Sequence, residues 1–337
     1  MSIFETLKPE FHAAFPRLAS GKYVHFLMVR HSQSFPVFQT DGVLNTARTQ
    51  AGLNPDDENS KRFISRLVMF KRKQVTPERL AGRILLRSAG FTSATEGDDN
   101  FCEYNSPKSC KKCPDCILYG FAVGDSGAER SKVYSDSAFS LSPYDETSRR
   151  SFTFNAPFEG GTMSEKGKMR SALNELDHVL PEVAFPSIET LRDPTMEGFI
   201  YVLGNLMRTR RYGAQESRTG AMANHIIGIV FCDGEIFSNL HFTQALYDAL
   251  EGNLSPPISD LRGVAATVAQ EQLEKEPVLK RQMIFGERLE ELLAEVGSIY
   301  QNETRLKEAI TVLYQQTQTY AETYGAIASK KAKKSSS

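Results

Sequence analysis

Four of the five cysteines in this 337-residue chain fall within one short stretch, FCEYNSPKSCKKCPDCILYG, and no other feature restricts the fold as tightly. Cys110, Cys113 and Cys116 are spaced C-x2-C-x2-C, and seven residues separate Cys102 from the first of them. Thiolates at such spacing converge on one tetrahedral zinc, with Zn–S near ~2.3 Å. Disulfides compete, but they need an oxidising compartment. Iron–sulfur ligation shares the C-x2-C-x2-C cue followed by Pro. Here Pro114 sits inside the run, and the spacing to the fourth cysteine does not fit. A structural zinc held by Cys102, Cys110, Cys113 and Cys116 is the leading expectation. Cys232 lies far away and reads as a core residue.

The chain is 40% hydrophobic and 24% charged, enough to bury a real core in one large domain or two modest ones. Its start, MSIFETLKPEFHAAFPRL, lacks the pattern of a signal peptide, and no stretch approaches eighteen consecutive apolar residues. A soluble, reducing, cytoplasmic setting is expected, which favours metal over disulfide. There is no P-loop and no G-x-S-x-G.

The formal net charge is −1, but its distribution is uneven. Between Lys61 and Arg87 lie nine basic residues against one acid, Glu78. Arg208, Arg210, Arg211 and Arg218 form a second cluster against Glu216, while acid gathers at Asp56-Asp57-Glu58 and Glu96 to Asp99. Such separation gives either a positive groove or merely solvated faces.

Apolar patterning predicts strands at Lys22–Arg30, Phe63–Phe70, Ile117–Val123, Lys132–Leu141 and His225–Phe231. Helices are expected from Thr76-Pro77 to Gly90, from Thr195 to Thr209 and from Asn239 to Leu250. In the first, Leu80, Ile84 and Leu85 should face inward, with Arg79, Arg83 and Arg87 sharing another face. Beyond Gly252 two or three helices follow, and the tail KKAKKSSS reads as disordered. The order of elements is compatible with a split βαβ, ferredoxin-like core.

For chemistry, His31 at the end of the first strand is a candidate general base for RNA cleavage, and Asp41 beside Gly42 a candidate metal or strand-cutting residue. A strand-end histidine and a turn aspartate are the plainer readings. For binding, Arg30-His31-Ser32, the basic Lys71-Arg72-Lys73 and the loop RRYGAQESRTGA offer donors to phosphate, and Tyr104 and Tyr212 offer rings for stacking.

The succession CPDCILYGFAVGD, SKVYSDSAFSLSP, a long polar arm, and RRYGAQESRTGA before a buried strand resembles the RAMP superfamily of CRISPR proteins. Within it, the chain looks most like the "Cas seven" family, the crRNA-coating backbone subunits, in the form found in type I-D Cascade. The carrying residues are Cys116-Ile117-Leu118-Tyr119-Gly120, Asp136-Ser137-Ala138, and the glycine-rich loop of Gly213, Ser217, Arg218 and Gly220. The resemblance implies an α+β fold: a ferredoxin-like (RRM-like) palm over residues 1–250. Its insertions would be a loop at 32–60, a zinc-bearing loop at 96–116 and a thumb hairpin at 142–178. A helical region at 251–329 and a disordered tail at 330–337 would complete it.

The resemblance further implies a non-catalytic subunit that oligomerises along crRNA and supports guide pairing with a target DNA strand. Phe158 and Met163 would be wedges on the thumb, and Arg30, Ser32 and Arg218 would face guide phosphates. His31, Arg62, Lys71, Arg72, Lys73, Tyr212, Gly213, Ser217 and Gly220 complete the expected RNA-binding set. Expected partners are neighbouring copies and the large, small, crRNA 5′-end cap and crRNA-processing subunits, with no membrane. Two alternatives carry enzyme chemistry. Type III relatives cut target RNA with an aspartate in the loop after the first strand, where Asp41 lies; His31 would serve a crRNA-processing endonuclease.

Overall fold

The computed structural model describes residues 2–40, 42–124, 127–153, 157–158, 161–162, 164–165, 168–169, 175–251, 253–254 and 258–325. After a short helix, Ile3–Leu7, come β1 (Tyr23–Ser32), β2 (Thr46–Gln50), β3 (Phe63–Met69) and α1 (Lys71–Ser88). Then follow α2 (Pro114–Leu118), β4 (Val133–Ser135), β5 (Ala138–Phe139), β6 (Ser148–Thr153) and β7 (Glu175–Val179). The second half holds β8 (Ala184–Arg192), α3 (Met196–Arg208), β9 (Met222–Cys232), α4 (Asn239–Ala249) and α5 (Leu261–Lys275). Last come β10 (Lys280–Ile284), α6 (Gly286–Tyr300) and α7 (Glu303–Thr323).

The central sheet runs β10-β9-β1-β8-β4, antiparallel throughout. β1 sits in its middle because YVHFLMVRHS is apolar on both faces of the pleat, so both faces must be covered. Val24, Phe26 and Met28 pack into a core with Leu85 and Leu86 of α1, Phe199 and Leu203 of α3, Leu292 of α6 and Leu313 of α7. On the other face Leu27 and Val29 meet Phe242 and Leu246 of α4 and Ala265 and Val268 of α5. Glycines let the first helical layer close up. A Cβ on Gly82 would lie 2.3 Å from Tyr201 Oη, and one on Gly204 would lie 1.9 Å from Tyr300 Oη. A second sheet, β2-β3-β5, stands beside the first.

Several boundaries depart from the sequence reading. α1 begins at Lys71, six residues before Pro77, which sits inside it. The early start is fastened by the buried Gln74 side chain, whose Nε2 donates to the carbonyls of Met69 (2.8 Å) and Asp136 (2.7 Å). Ile84 is 61% exposed, because at about 100° per residue it points away from the buried Gly82. Residues 117–118 belong to α2 and not to a strand, Pro114 having fixed the first helical turn. The expected strand Lys132–Leu141 divides between the two sheets at Asp136-Ser137, whose carbonyls accept from Asn239 Nδ2. β10 was not anticipated among the C-terminal helices; its neighbour β9 supplies the pairing that its short, half-polar sequence does not announce. β6 and β7 pair antiparallel across the polar arm. Met163, Asp41, the side chain of Phe158 and the tail from 326 onward lie outside the described residues. Among the described residues no helix is long and apolar enough to cross a membrane.

His25 on β1 is buried, with Nε2 donating to the Gly234 carbonyl (3.0 Å) and Nδ1 accepting from Thr190 Oγ1 (2.7 Å). Burial pushes its pKa down from 6.5 to about 4. The unfolded chain therefore takes up a proton as the pH falls through 6.5, and the folded chain does so only near 4. Stability from this group is complete above 6.5 and is lost across that window, by on the order of 3 kcal/mol. Urea titrations at pH 7 and pH 4.5 should show a smaller loss for His25→Gln than for the unaltered protein. Equal losses would remove His25 from the account.

Candidate functional site

Two constellations stand out, one around the cysteines and one where the glycine-bearing loop meets the end of β1. Cys113 precedes α2 directly and Cys116 lies within its single turn, so the helix presents both sulfurs to one side. Cys102 arrives from the loop after α1. The Sγ atoms of Cys102 and Cys116 are 3.7 Å apart, those of Cys102 and Cys113 3.9 Å, and those of Cys110 and Cys116 4.0 Å. All four lie within 4.8 Å of one another. A tetrahedron of sulfurs about ~2.3 Å from one ion has edges of about 3.8 Å, so the four fit a single metal ion. A disulfide would need roughly 2.05 Å. An iron–sulfur cube would attach each thiolate to a different iron and hold them further apart.

The expected basic face of α1 serves this knot. Asp115, fully buried between Cys113 and Cys116, accepts from Arg79 Nε (3.0 Å) and Nη2 (2.9 Å) and from Arg83 Nη1 (2.5 Å). Arg83 Nη2 reaches the Cys102 carbonyl (2.6 Å) and its Sγ (3.2 Å). Arg79 also stacks over Tyr104, 4.6 Å from the ring centroid, which occupies one face of that tyrosine. Cys232 is a different kind of thiol: burial pushes its pKa up to about 11, in keeping with a core role.

At the other constellation, three expected RNA-binding residues prove to be internal. Arg30 is fully buried, with Nη1 donating to Glu78 Oε1 (2.6 Å), Tyr212 Oη (3.1 Å) and Asn224 Oδ1 (3.1 Å). Burial opposes its charge, but Glu78, Tyr212 and Glu189 together hold its pKa above the ordinary value. Tyr212 is equally buried and donates to Glu78 (3.0 Å), so no base can stack on it. Ser32, also buried, donates to the Leu180 carbonyl (2.7 Å). Arg30 and Tyr212 hold the loop to the sheet, and full burial keeps all three side chains away from any phosphate. Gly213 and Gly220 likewise serve closure: both have positive φ, 91° and 90°. A Cβ on Gly213 would lie 2.7 Å from the Val37 carbonyl oxygen, and one on Gly220 would lie 2.4 Å from that of Tyr212.

Other members of the expected set remain at the surface. Arg62, Lys71, Arg72, Ser217 and Arg218 are exposed, as are Arg210 and Arg211, and Lys73 is half-buried. Arg62 lies apart, donating from Nη2 to Tyr247 Oη of α4 (2.9 Å), while hydrogen bonds join the segments at 33–40, 71–72 and 210–221 into one rim. Ala214 N donates to the Val37 carbonyl (2.9 Å), Gln33 N to that of Ala221 (2.8 Å), and Arg72 Nη2 to Thr40 Oγ1 (3.2 Å). His31 lies 3.4 Å from Glu182 and 6.2 Å, ring to ring, from His225. With Arg262 these line an open cavity of about 330 Å³. Burial, then Arg262, lower the His225 pKa to about 4, so its Nε2 accepts from Arg262 Nη2 (3.1 Å). Sequence reasoning missed Asp115, Glu78, Glu189, Glu182, His225 and Arg262. Only for Asp115 was there a signal, the i, i+4, i+8 arginines opposite a carboxylate inside the cysteine run.

The family model described as Csc2 CRISPR matches residues 10–310 of the chain. The crystal structure of Thermofilum pendens Csc2 is similar at a TM-score of 0.55 and 14% identity, covering 94% of this chain and 95% of that one. A chain of a CRISPR RNA-guided surveillance complex aligns with a TM-score of 0.45 and 13% identity, covering 79% of this chain and 89% of that one. No curated protein matches.

Arg30→Ala leaves the Glu78 carboxylate buried without its cation, which should lower the unfolding free energy by roughly 3–5 kcal/mol in urea titration. A variant as stable as the unaltered protein would show that the cluster does not hold the loop.

Proposed function

The chain belongs to the Csc2 CRISPR family, and from that premise we propose that it is a non-catalytic backbone subunit of a type I-D CRISPR effector complex. Copies stack along crRNA, the basic rim tracks guide phosphates, and pairing between guide and target DNA carries the sequence specificity. The observation that carries this reading is the family match across residues 10–310. The exposed arginines of the loop at 210–218 support it, since they meet a polyanion without any change in the buried cluster beneath them. Reading the palm as ferredoxin-like rests on strand order: β9 and β8 flank β1, and β4 lies beyond β8, with α1 and α3 on one face. The paired β6 and β7 support a thumb hairpin across residues 142–178. For the thiolates we take zinc as the ion, acting as a structural crosslink with no part in chemistry. The large, small, cap and processing subunits are the remaining partners.

One arrangement favours a second reading. His31 and His225, tilted by 49° in a shared cavity beside Arg262, are the residue types of a metal-free RNA-cleaving site. Incubation with repeat RNA should leave it intact. Cleavage that disappears in His31→Ala would replace the subunit reading by a processing nuclease.

The main test is binding. RNA of uniform length should co-purify with the assembled protein. Replacing Arg210, Arg211 and Arg218 by Ala should weaken RNA binding about equally for unrelated guide sequences and lower the salt slope by about one per lost phosphate contact. An unchanged affinity and slope would place the guide elsewhere.

A further inference from the structure

The metal knot is assembled from two separate pieces of chain. Cys110, Cys113 and Cys116 share one turn that runs into α2, whereas Cys102 lies on the loop leading away from α1. A three-thiolate turn is a partial site; whether the fourth sulfur stays in place depends on what fixes Cys102. Apart from one bond, its backbone is held loosely: Cys102 N reaches the Ser93 carbonyl at 3.4 Å, and the Cys102 carbonyl accepts from Arg87 Nη2 at 3.4 Å, while Cys102 Sγ accepts from Cys110 N at an ordinary 3.3 Å. The short one comes from α1. Arg83 Nη2 donates to the Cys102 carbonyl at 2.6 Å and to its Sγ at 3.2 Å.

The same guanidinium holds the other half of the site. Arg83 Nη1 is 2.5 Å from Asp115 Oδ2, and Asp115 lies in α2 between Cys113 and Cys116. Arg79 braces that carboxylate from its second side through Nε and Nη2. One planar fork therefore spans the Cys102 loop and the cysteine turn. A guanidinium suits this place: its donors are fixed in direction and its charge is permanent. Four thiolates around a divalent ion carry a net charge of about −2, and Arg83, only 3% exposed, sets a compensating cation against the buried cluster.

We propose that Arg83 is the positioning residue that keeps Cys102 as the fourth ligand of the metal, by clamping the Cys102 loop to the α2 turn. The proposal rests on the reading of the four cysteines as one metal site. It concerns which side chain closes that site and not the identity of the ion.

Cobalt(II) is the probe, because its ligand-field and sulfur charge-transfer bands report the number of thiolates bound. The unaltered 337-residue chain should take up one cobalt per chain with a four-thiolate spectrum. Arg83→Gln should move the spectrum towards that of Cys102→Ser, and should release zinc to a competing chelator at least tenfold faster. Arg83→Lys keeps the charge but has no fork, and should fall between the two. A folded Arg83→Gln with the unaltered spectrum and release rate overturns the proposal. If that variant cannot be purified, an Arg83→Lys chain indistinguishable from the unaltered one overturns it equally. An unaltered chain that binds no cobalt overturns the metal reading and this proposal with it, whereas normal uptake with indifferent Arg83 variants overturns this proposal alone.

Discussion

The carboxylate of Glu78 accepts from Arg30 of the central strand and from Tyr212 of the glycine-bearing loop, with no solvent around it. A buried ion pair is stable only when its geometry satisfies both charges, since neither can be returned to water without opening the core. Glu189, 3.7 Å from the same guanidinium, is pushed well above the ordinary carboxylate range by burial and then by Glu78 beside it. Asn224 adds the bond from β9, donating to the Leu206 carbonyl (2.9 Å) and to Tyr212 Oη (2.5 Å). Sheet, helix and loop are fixed to one another at this point.

Glu78 and Arg79 are neighbours on α1, so a single turn of that helix serves both constellations. Glu78 faces the sheet and the loop; Arg79 and Arg83 face the cysteines. Gly82, between them, brings α1 against Tyr201 and Asn205 of α3 with no room for a methyl group. The helix can neither roll nor slide without breaking contacts on two sides. The cysteine knot therefore braces a helix on which the surface loop also depends.

What could be read from the chain in advance follows from how local the physics is. β1, α3 and α4 were legible because their apolar spacing and caps, such as Thr195 and Ser238, lie in their own residues. The cysteine cluster was legible because three of the four are close together in the chain. The destination of the arginines was not. Arg66 donates to the carbonyls of Ser140 (2.6 Å) and Ala51 (2.7 Å), and Arg79 to a carboxylate 36 residues further on. A run of basic residues shows its charge but not the distant acceptors that consume it. The α1 boundary failed for a related reason: Gln74 anchors the first turn to carbonyls outside the helix, so Thr76-Pro77 is not its start.

This division of the arginines also makes a net charge of −1 compatible with the proposed polyanion-binding face. Arg30 pairs with Glu78, Arg79 and Arg83 share Asp115, and Arg66 donates to backbone carbonyls, so these guanidiniums are engaged inside the fold and not at its surface. Arg210, Arg211 and Arg218 stand at the surface on the loop that Arg30 holds through Tyr212, and Arg72 on the helix that Arg30 holds through Glu78. Because the internal set fixes the backbone beneath the rim, the outer guanidiniums lose less conformational freedom when they meet phosphate than they would on a free loop. In the proposed filament this is the useful arrangement, since a strongly cationic subunit would repel its neighbours while a local basic rim need not.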